Sequence, residues 1–292
     1  MIAISPRQLE VFCAIAGTGT VRAAAAQLGL TQPAASMALA ELERLLGAPL
    51  FDRRQRRLRI NEHGRRVLPR AREIVERLRQ LDDPGGAAAT LAVGASNTIG
   101  NYMVGELLGD FVAAHPAVHL SLRVANSAEI ARAVLGYDLD VGCVEASATH
   151  PELEQIPWRR DELVVCVRAD HPLARRKLVR AADLRGQRWI LRELGSGTRS
   201  TFENATREVL GPLQVALELG QSEAIKQAVL AGLGIACLPR VAMTDALTSG
   251  QLVALRTPFL TLGRSLSLLL HRSRWRGAAL QAFLAAAATR AH

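Results

Sequence analysis

Lysine is nearly absent from this chain of 292 residues: it occurs only at Lys177 and Lys226, so almost all of the 36 basic residues are arginine. A GC-rich coding sequence produces that bias as readily as a polyanionic partner does, and composition alone does not choose between them. Cysteine is scarce too. Cys13, Cys143, Cys166 and Cys237 lie far apart, each in an apolar run, with no C-x-x-C pair and no neighbouring histidine cluster. That excludes the usual zinc and dithiol spacings and reads as buried thiols in a reducing cytosol. No run of ~18 apolar residues exists, and Met1 to Arg7 carries no basic segment followed by an apolar one, so the expectation is a cytoplasmic protein without a membrane partner. Catalytic signatures are missing as well: there is no G-x-S-x-G, H-E-x-x-H, P-loop or G-x-G-x-x-G. The histidines at 63, 115, 119, 150, 171, 271 and 292 are scattered in polar contexts, and Glu145 follows a strand-like run with neither base nor metal beside it. Neither an enzyme nor a cofactor is expected.

What is present is a globular composition, 49% hydrophobic and 22% charged, in a chain long enough for two or three cores. The formal net charge of +9 is unevenly placed. Residues 1 to 79 hold 14 Arg against 7 acids, a net of +7, which leaves +2 for all the rest. A polyanion site therefore belongs to the N-terminal quarter.

That quarter reads as helix, short turn, capped helix. Arg7 to Ala16 carries apolar residues at helical spacing and is broken by Gly17 and Gly19. Thr20 caps a second helix, Val21 to Leu28, which Gly29 ends, and Thr31 caps a third, from Gln32 to Leu46, with Pro33 tolerated in its first turn. The third helix spends Ala35, Leu39, Leu42, Leu45 and Leu46 on packing and leaves Gln32, Ser36 and Met37 on other faces near its start. Those side chains suit a major groove: Gln pairs with adenine, Ser donates to a base or phosphate, and an apolar atom meets a thymine methyl, although plain solvation serves Gln32 and Ser36 equally well. Pro49 to Ile60 then sets two short apolar edges around Arg53, Arg54, Arg56 and Arg57, a β-wing whose crowded cations call for phosphates. Glu62 to Leu81 is a long helix with Val67, Leu68, Ala71, Ile74, Val75, Leu78 and Leu81 on one stripe. Such a stripe needs a partner, most simply the same helix of a second subunit.

The string from Arg7 to Gly64, with TQPAAS, LE-x-x-LG-x-x-LF-x-R and N-E-x-G in order, resembles the LysR family of bacterial transcription regulators, and the similarity continues without a gap to about Leu81. Val21 and Arg22 stand where family members often carry Ser or Thr, and Met37 where many carry Arg. The resemblance implies a winged helix-turn-helix over residues 1 to 61, a dimerisation helix over 62 to 83, and an effector-binding domain over 90 to 292. It also implies double-stranded DNA, a small-molecule effector, RNA polymerase and further copies of the chain, as dimer or tetramer, as partners. Thr31, Gln32, Pro33, Ser36, Met37 and the four wing arginines are its candidate DNA contacts.

After a flexible D-D-P-G-G joint, β-type and helical runs alternate from Leu91 to the final helix, Ala278 to Thr289, among them a helical run from Asn101 to Ala114 and a β-type run from Leu163 to Val167, which argues for α/β organisation with parallel strands. The order looks like the two-lobed effector domain of LysR proteins, related to type II periplasmic binding proteins, with lobe I over about 90 to 163 and 265 to 292 and lobe II over about 164 to 264. Two loops that end strands and begin helices fit the cleft: Ser96, Asn97 and Thr98 in one, and Ser196, Gly197, Thr198 and Arg199 in the other. Gln221 and Ser222 form a third edge. Small hydroxyl residues beside glycine at a helix start present backbone and side-chain donors together, and Arg199 would add a bidentate one, so a small anion is the expected effector. Ordinary N-capping is the alternative reading of each of these residues.

Overall fold

The computed structural model of the protein describes residues 3–54, 57–82, 90–145 and 150–290, which fall into two compact units. In the N-terminal unit each helix start is fixed by a cap. Ser5 opens α1 (Pro6–Thr18) with a reciprocal pair: its hydroxyl accepts from the Gln8 N–H at 3.3 Å, and the Gln8 side chain accepts from the Ser5 N–H at 2.7 Å. Gly19, at φ 74°, ends it. Thr20 caps α2 (Val21–Gln27) and Thr31 caps α3 (Gln32–Leu46), each hydroxyl accepting from the N–H three residues on. Val11, Phe12 and Ile15 of α1, Ala24 and Ala25 of α2, and Ala35 and Leu42 of α3 close one core with Leu50 and Phe51. Strands β1 (Phe51–Arg54) and β2 (Arg57–Ile60) make an antiparallel hairpin that pairs Phe51 with Ile60 and Arg54 with Arg57.

The long helix α4 (Glu62–Asp82) follows, its start held by Asn61, whose side chain accepts from the Gly64 N–H and donates to the Pro49 carbonyl, both at 2.8 Å. A Cβ on Gly64 would stand 2.2 Å from the Leu50 carbonyl oxygen, so only glycine lets the helix come this close to the hairpin. Ala71 and Val75 are buried in the core of this same unit, and Val67 and Leu68 pack against it. This corrects the expectation that the stripe of α4 has nothing in its own domain to cover it: α1 lies along it, and among the described side chains of the stripe Ile74 is the one left exposed. No single described helix is long and apolar enough to cross a membrane.

The second unit runs β3 (Thr90–Ser96), α5 (Asn97–Tyr102), α6 (Val104–Ala114), β4 (His119–Ala125), α7 (Ser127–Leu135), β5 (Val141–Val144), β6 (Leu153–Arg168), α8 (Ala181–Leu184), β7 (Arg188–Arg192), α9 (Gly197–Leu210), β8 (Gln214–Leu219), α10 (Ser222–Leu230), β9 (Ile235–Pro239), α11 (Thr244–Thr248), β10 (Leu252–Ala254), β11 (Gly263–His271) and α12 (Ala278–Thr289). The described strands lie in the order β4-β3-β5-β11-β6-β9-β7-β8, with β10 beside β6. Both ends are parallel, β3 between β4 and β5 and β7 between β8 and β9, while the middle is antiparallel. Two lobes result, one cored by Val93, Phe111, Trp158 and Phe283 and the other by Trp189, Phe202, Val165 and Leu262. Strand β6 serves both: Leu153 to Glu162 pair with β11, and Leu163 to Cys166 with β9.

Two elements differ from the sequence expectation. Strand β6 begins at Leu153 rather than at Leu163, because the charged stretch Arg159 to Glu162 and Pro157 hide the alternation that buries Leu153 and Trp158. The helix expected from Asn101 begins four residues earlier, as α5. Gly100 permits this, since a Cβ there would meet a Val124 methyl at 2.7 Å, and the chain then breaks at Met103 before α6.

Candidate functional sites

In the N-terminal unit one face of the first two turns of α3 is open to solvent. Thr31, Gln32, Pro33, Ser36 and Met37 are all exposed, while Ala35 and Leu39 point into the core. Met37, 73% exposed, is an apolar side chain with no internal role. The Thr31 hydroxyl is engaged in its cap, accepting from the Ala34 N–H at 3.4 Å. Arg53, Arg54 and Arg57 lie at the hairpin tip by backbone register, and their side chains are outside the described residues, as is the whole of Arg56. A positioning residue was not foreseen: the Glu43 carboxylate accepts from the Leu50 N–H at 2.7 Å and so ties the end of α3 to the start of the wing.

In the second unit the sequence-predicted loops meet at the carboxyl ends of the parallel strands, where open α/β sheets present their helix starts. From the first lobe come Ser96, Asn97 and Thr98 after β3; from the second, Ser196, Gly197 and Thr198 after β7, and Gln221 and Ser222 after β8. The lobes touch here. The Asn97 amide donates to the Gly220 carbonyl and accepts from the Gln221 amide, each at 3.4 Å, and the Ala128 N–H donates to the Gly195 carbonyl at 3.1 Å. A Cβ on Gly197 would stand 2.9 Å from Ser127 Oγ and from both Cβ and Oε2 of Glu145. Five buried polar atoms of the second unit have no hydrogen-bond partner among the described residues: the hydroxyls of Ser96, Thr98, Ser127 and Ser222, and Nη1 of Arg192. Buried polar groups are normally paired, so five around facing loops make this place the candidate site of the unit.

Two charged residues at this site, Arg264 and Asp161, carried no signal in the sequence, and a third, Glu145, stood out there only as a lone acid after a strand-like run. Arg264, at the start of β11, has a side chain only 3% exposed. Its Nε donates to Asp161 at 2.7 Å, its Nη1 donates to the Thr198 hydroxyl at 3.0 Å, and the same Nη1 lies 3.6 Å from Glu145 Oε2. Glu145 in turn accepts from the Thr98 N–H at 3.2 Å. Ser127 was also missed. Arg199, expected to reach a ligand, is placed among protein acceptors: it donates to Glu203 at 2.7 Å, to the Arg192 carbonyl at 3.0 Å, and to Glu218. Burial opposes its charge, and those carboxylates outweigh burial and hold its pKa above the ordinary arginine value. At the cleft's edge, burial first and then the Glu223 carboxylate push the Tyr102 phenol up.

A winged helix-turn-helix in one unit and a two-lobed α/β fold with a polar cleft in the other define a ligand-responsive DNA-binding protein. The family model of bacterial regulatory helix-turn-helix proteins of the LysR family matches residues 6–65, and that of the LysR substrate binding domain matches residues 84–291. The HTH-type transcriptional regulator YeiE of Escherichia coli K12 is 39% identical over 285 residues, covering 96% of each chain. Among solved structures, full-length OxyR of Pseudomonas aeruginosa superposes with a TM-score of 0.80 at 21% identity, covering 98% of this chain and 95% of its own, a likeness of fold. The CcmR regulatory domain of Synechocystis PCC6803, solved with 2-PG, is 28% identical with a TM-score of 0.65, covering 70% of this chain and 97% of its own. The chain belongs to the LysR family of transcription regulators, DNA-binding proteins rather than enzymes.

Proposed function

We propose that this regulator reads its operator with Gln32, Pro33, Ser36 and Met37 of α3, holds phosphates with Arg53, Arg54, Arg56 and Arg57 of the wing, and responds to a small anion bound between the lobes of the second unit. Thr31 sets the start of the reading helix through its cap. The observation that carries the effector half is the set of five buried, unpartnered polar atoms at facing loops, four of them hydroxyls that turn to donate. A ligand oxygen meeting them gains hydrogen bonds that the protein alone does not make, each left unmade at a cost of roughly 1 to 3 kcal/mol. Ser96, Asn97, Thr98, Ser196, Gly197, Thr198, Gln221 and Ser222 frame the site, Arg199 stiffens its rim, and the CcmR regulatory domain, solved in complex with 2-PG, supports a small-molecule ligand for this unit.

Two or four copies of the chain, paired in part through the exposed Ile74 side of α4, would present two reading helices to two half-sites, with RNA polymerase as the downstream partner in the cytoplasm. Closure of the lobes can shift such an assembly only if the ligand prefers the closed form.

Calorimetry on the full chain with a panel of small carboxylates and inorganic oxyanions tests the effector reading. Wild type binds at least one, and Thr98→Ala with Thr198→Val weakens that binding about tenfold or more while operator affinity in a gel-shift assay is kept. Preference for an uncharged ligand, or undiminished binding in the double variant, would place the sensing site elsewhere.

A further inference from the structure

We propose that the molecule held between the lobes carries its own hydrogen-bond donor beside its negative charge, and that the carboxylate of Glu145 receives it. The inference rests on the anion-binding cleft above and narrows the class of ligand. Glu145 follows β5 with its side chain only 2% exposed. One oxygen accepts from the Thr98 N–H at 3.2 Å, and the other lies 3.6 Å from Arg264 Nη1, too far for a hydrogen bond. Arg264 has other acceptors: Asp161 takes Nε, and the Thr198 hydroxyl takes Nη1. One buried guanidinium therefore faces two buried carboxylates, and the group carries a formal negative charge in excess. Burying that charge without a full set of donors is costly.

A ligand that offers only acceptors would set a second negative charge against the first across a site of low dielectric. A donor on the ligand removes the conflict, because it converts the Glu145 oxygen from a repelling neighbour into a hydrogen-bond partner. The groups around Glu145 suit such a ligand. The Thr98 and Ser127 hydroxyls have no partner among the described residues, and the ideal Cβ position of Gly197 lies 2.9 Å from both Ser127 Oγ and Glu145 Oε2. Each hydroxyl donates to the ligand's anionic oxygens while Glu145 takes the ligand's hydrogen. Two sources supply this chemistry: an oxyanion that keeps a proton at neutral pH, and an organic acid with a hydroxyl or amino group beside its carboxylate. Both present an acceptor face and a donor face.

Matched pairs decide the matter on the full-length protein by calorimetry at neutral pH: phosphate against sulfate, glycolate against acetate, malate against succinate. The expected result is that wild type binds the donor-bearing member of at least one pair about tenfold or more tightly than its match, the worth of one charge-assisted hydrogen bond. The pair that shows it separates protonated oxyanion from hydroxy acid. Glu145→Gln should bring that ratio close to one while the acceptor-only member still binds, and its melting curve checks that the domain is folded. If Arg264 is disturbed in that variant, the wild-type ratios stand by themselves. Equal affinity within every pair in wild type overturns the donor requirement and leaves the anion cleft standing. Failure of all six to bind overturns the anion cleft and this inference together.

Discussion

The Glu43 carboxylate, on the last turn of α3, accepts a hydrogen bond from the backbone N–H of Leu50 at 2.7 Å. The Leu50 carbonyl accepts in turn from the Asn61 N–H at 3.0 Å, so one residue between helix and hairpin is fastened on both sides. The reading helix and the wing share this joint, and their relative placement depends on it. Glu43→Ala should cost the N-terminal unit about 1 to 2 kcal/mol, because the Leu50 N–H loses its acceptor at a part-buried position, and Glu43→Gln less, because an amide oxygen still accepts. Urea denaturation of the full chain, followed with a probe in each unit, checks this. Loss confined to the N-terminal transition is the expected outcome, and equal stability of wild type and Glu43→Ala would remove the joint from the account.

The wing arginines act through charge, so their removal should look the same on every DNA sequence. Arg53→Ala and Arg54→Ala should each flatten the dependence of log affinity on log salt by about one unit per lost phosphate contact. Fluorescence anisotropy with operator and scrambled duplexes at several salt concentrations measures the slope. An unchanged slope in the double variant assigns the phosphate contacts to other residues.

The DNA-binding unit was legible in the sequence because its signals are local. Thr20, Thr31 and Gly47 mark helix ends, and each acts within a turn of its own position. The loops of the cleft were legible for the same reason, since Ser96 to Thr98 and Ser196 to Thr198 sit where strands give way to helices. The charged heart of the cleft was not. Arg264 stands as a single cation between Gly263 and Ser265 where an apolar run begins, and it is separated along the chain by 103 positions from Asp161, with which it pairs. Glu145 could be picked out only as a lone acid after a strand, because the arginine facing it comes from a strand added late in the chain. Strand β6 stayed half hidden, since Arg159 to Glu162 interrupt the apolar alternation on which strand recognition depends.

Burial pushes the thiols of Cys143 and Cys166 up to about 12 and that of Cys237 well above its ordinary value. A thiol in the unfolded chain ionises near about 8.5. With the folded value the higher of the two, the native state favours the protonated thiol. That contribution is fully present below about pH 8.5 and is lost as pH climbs from there to about 12, by ~1 kcal/mol per unit for each thiol. Melting temperature should therefore fall between pH 8 and pH 10 more steeply in wild type than in Cys143→Ala. The three thiols should also resist alkylation until the domain is unfolded. Rapid labelling of Cys143 in the native protein would contradict the burial that drives both effects.

Gly197 is where closure of the lobes is most exposed to a single change. A Cβ placed there comes within 2.9 Å of the Glu145 Cβ, of Glu145 Oε2 and of Ser127 Oγ. A carboxylate oxygen or a hydroxyl could swing aside, but the Glu145 Cβ is anchored directly to the backbone at the end of β5 and cannot. Gly197→Ala must therefore move one lobe's loop away from the other. The cheaper path is opening, because the lobes are joined here by single hydrogen bonds, those of Asn97 with Gly220 and Gln221 at 3.4 Å each and that of Ala128 with Gly195 at 3.1 Å, whereas β5 and β7 are each held between two neighbouring strands. Each lobe keeps its own core, so melting temperature should change by only a few degrees. A ligand that prefers the closed form must then supply the free energy to close the cleft against this contact, and its apparent affinity falls with the closed fraction. The expected result is a loss of effector affinity of about tenfold or more with operator binding of the ligand-free protein retained, and a larger radius of gyration of the ligand-free effector domain within the full chain by X-ray scattering. Wild-type affinity in Gly197→Ala would mean that the ligand is held by an open cleft, and that the contact between Gly197 and Glu145 has no part in the response.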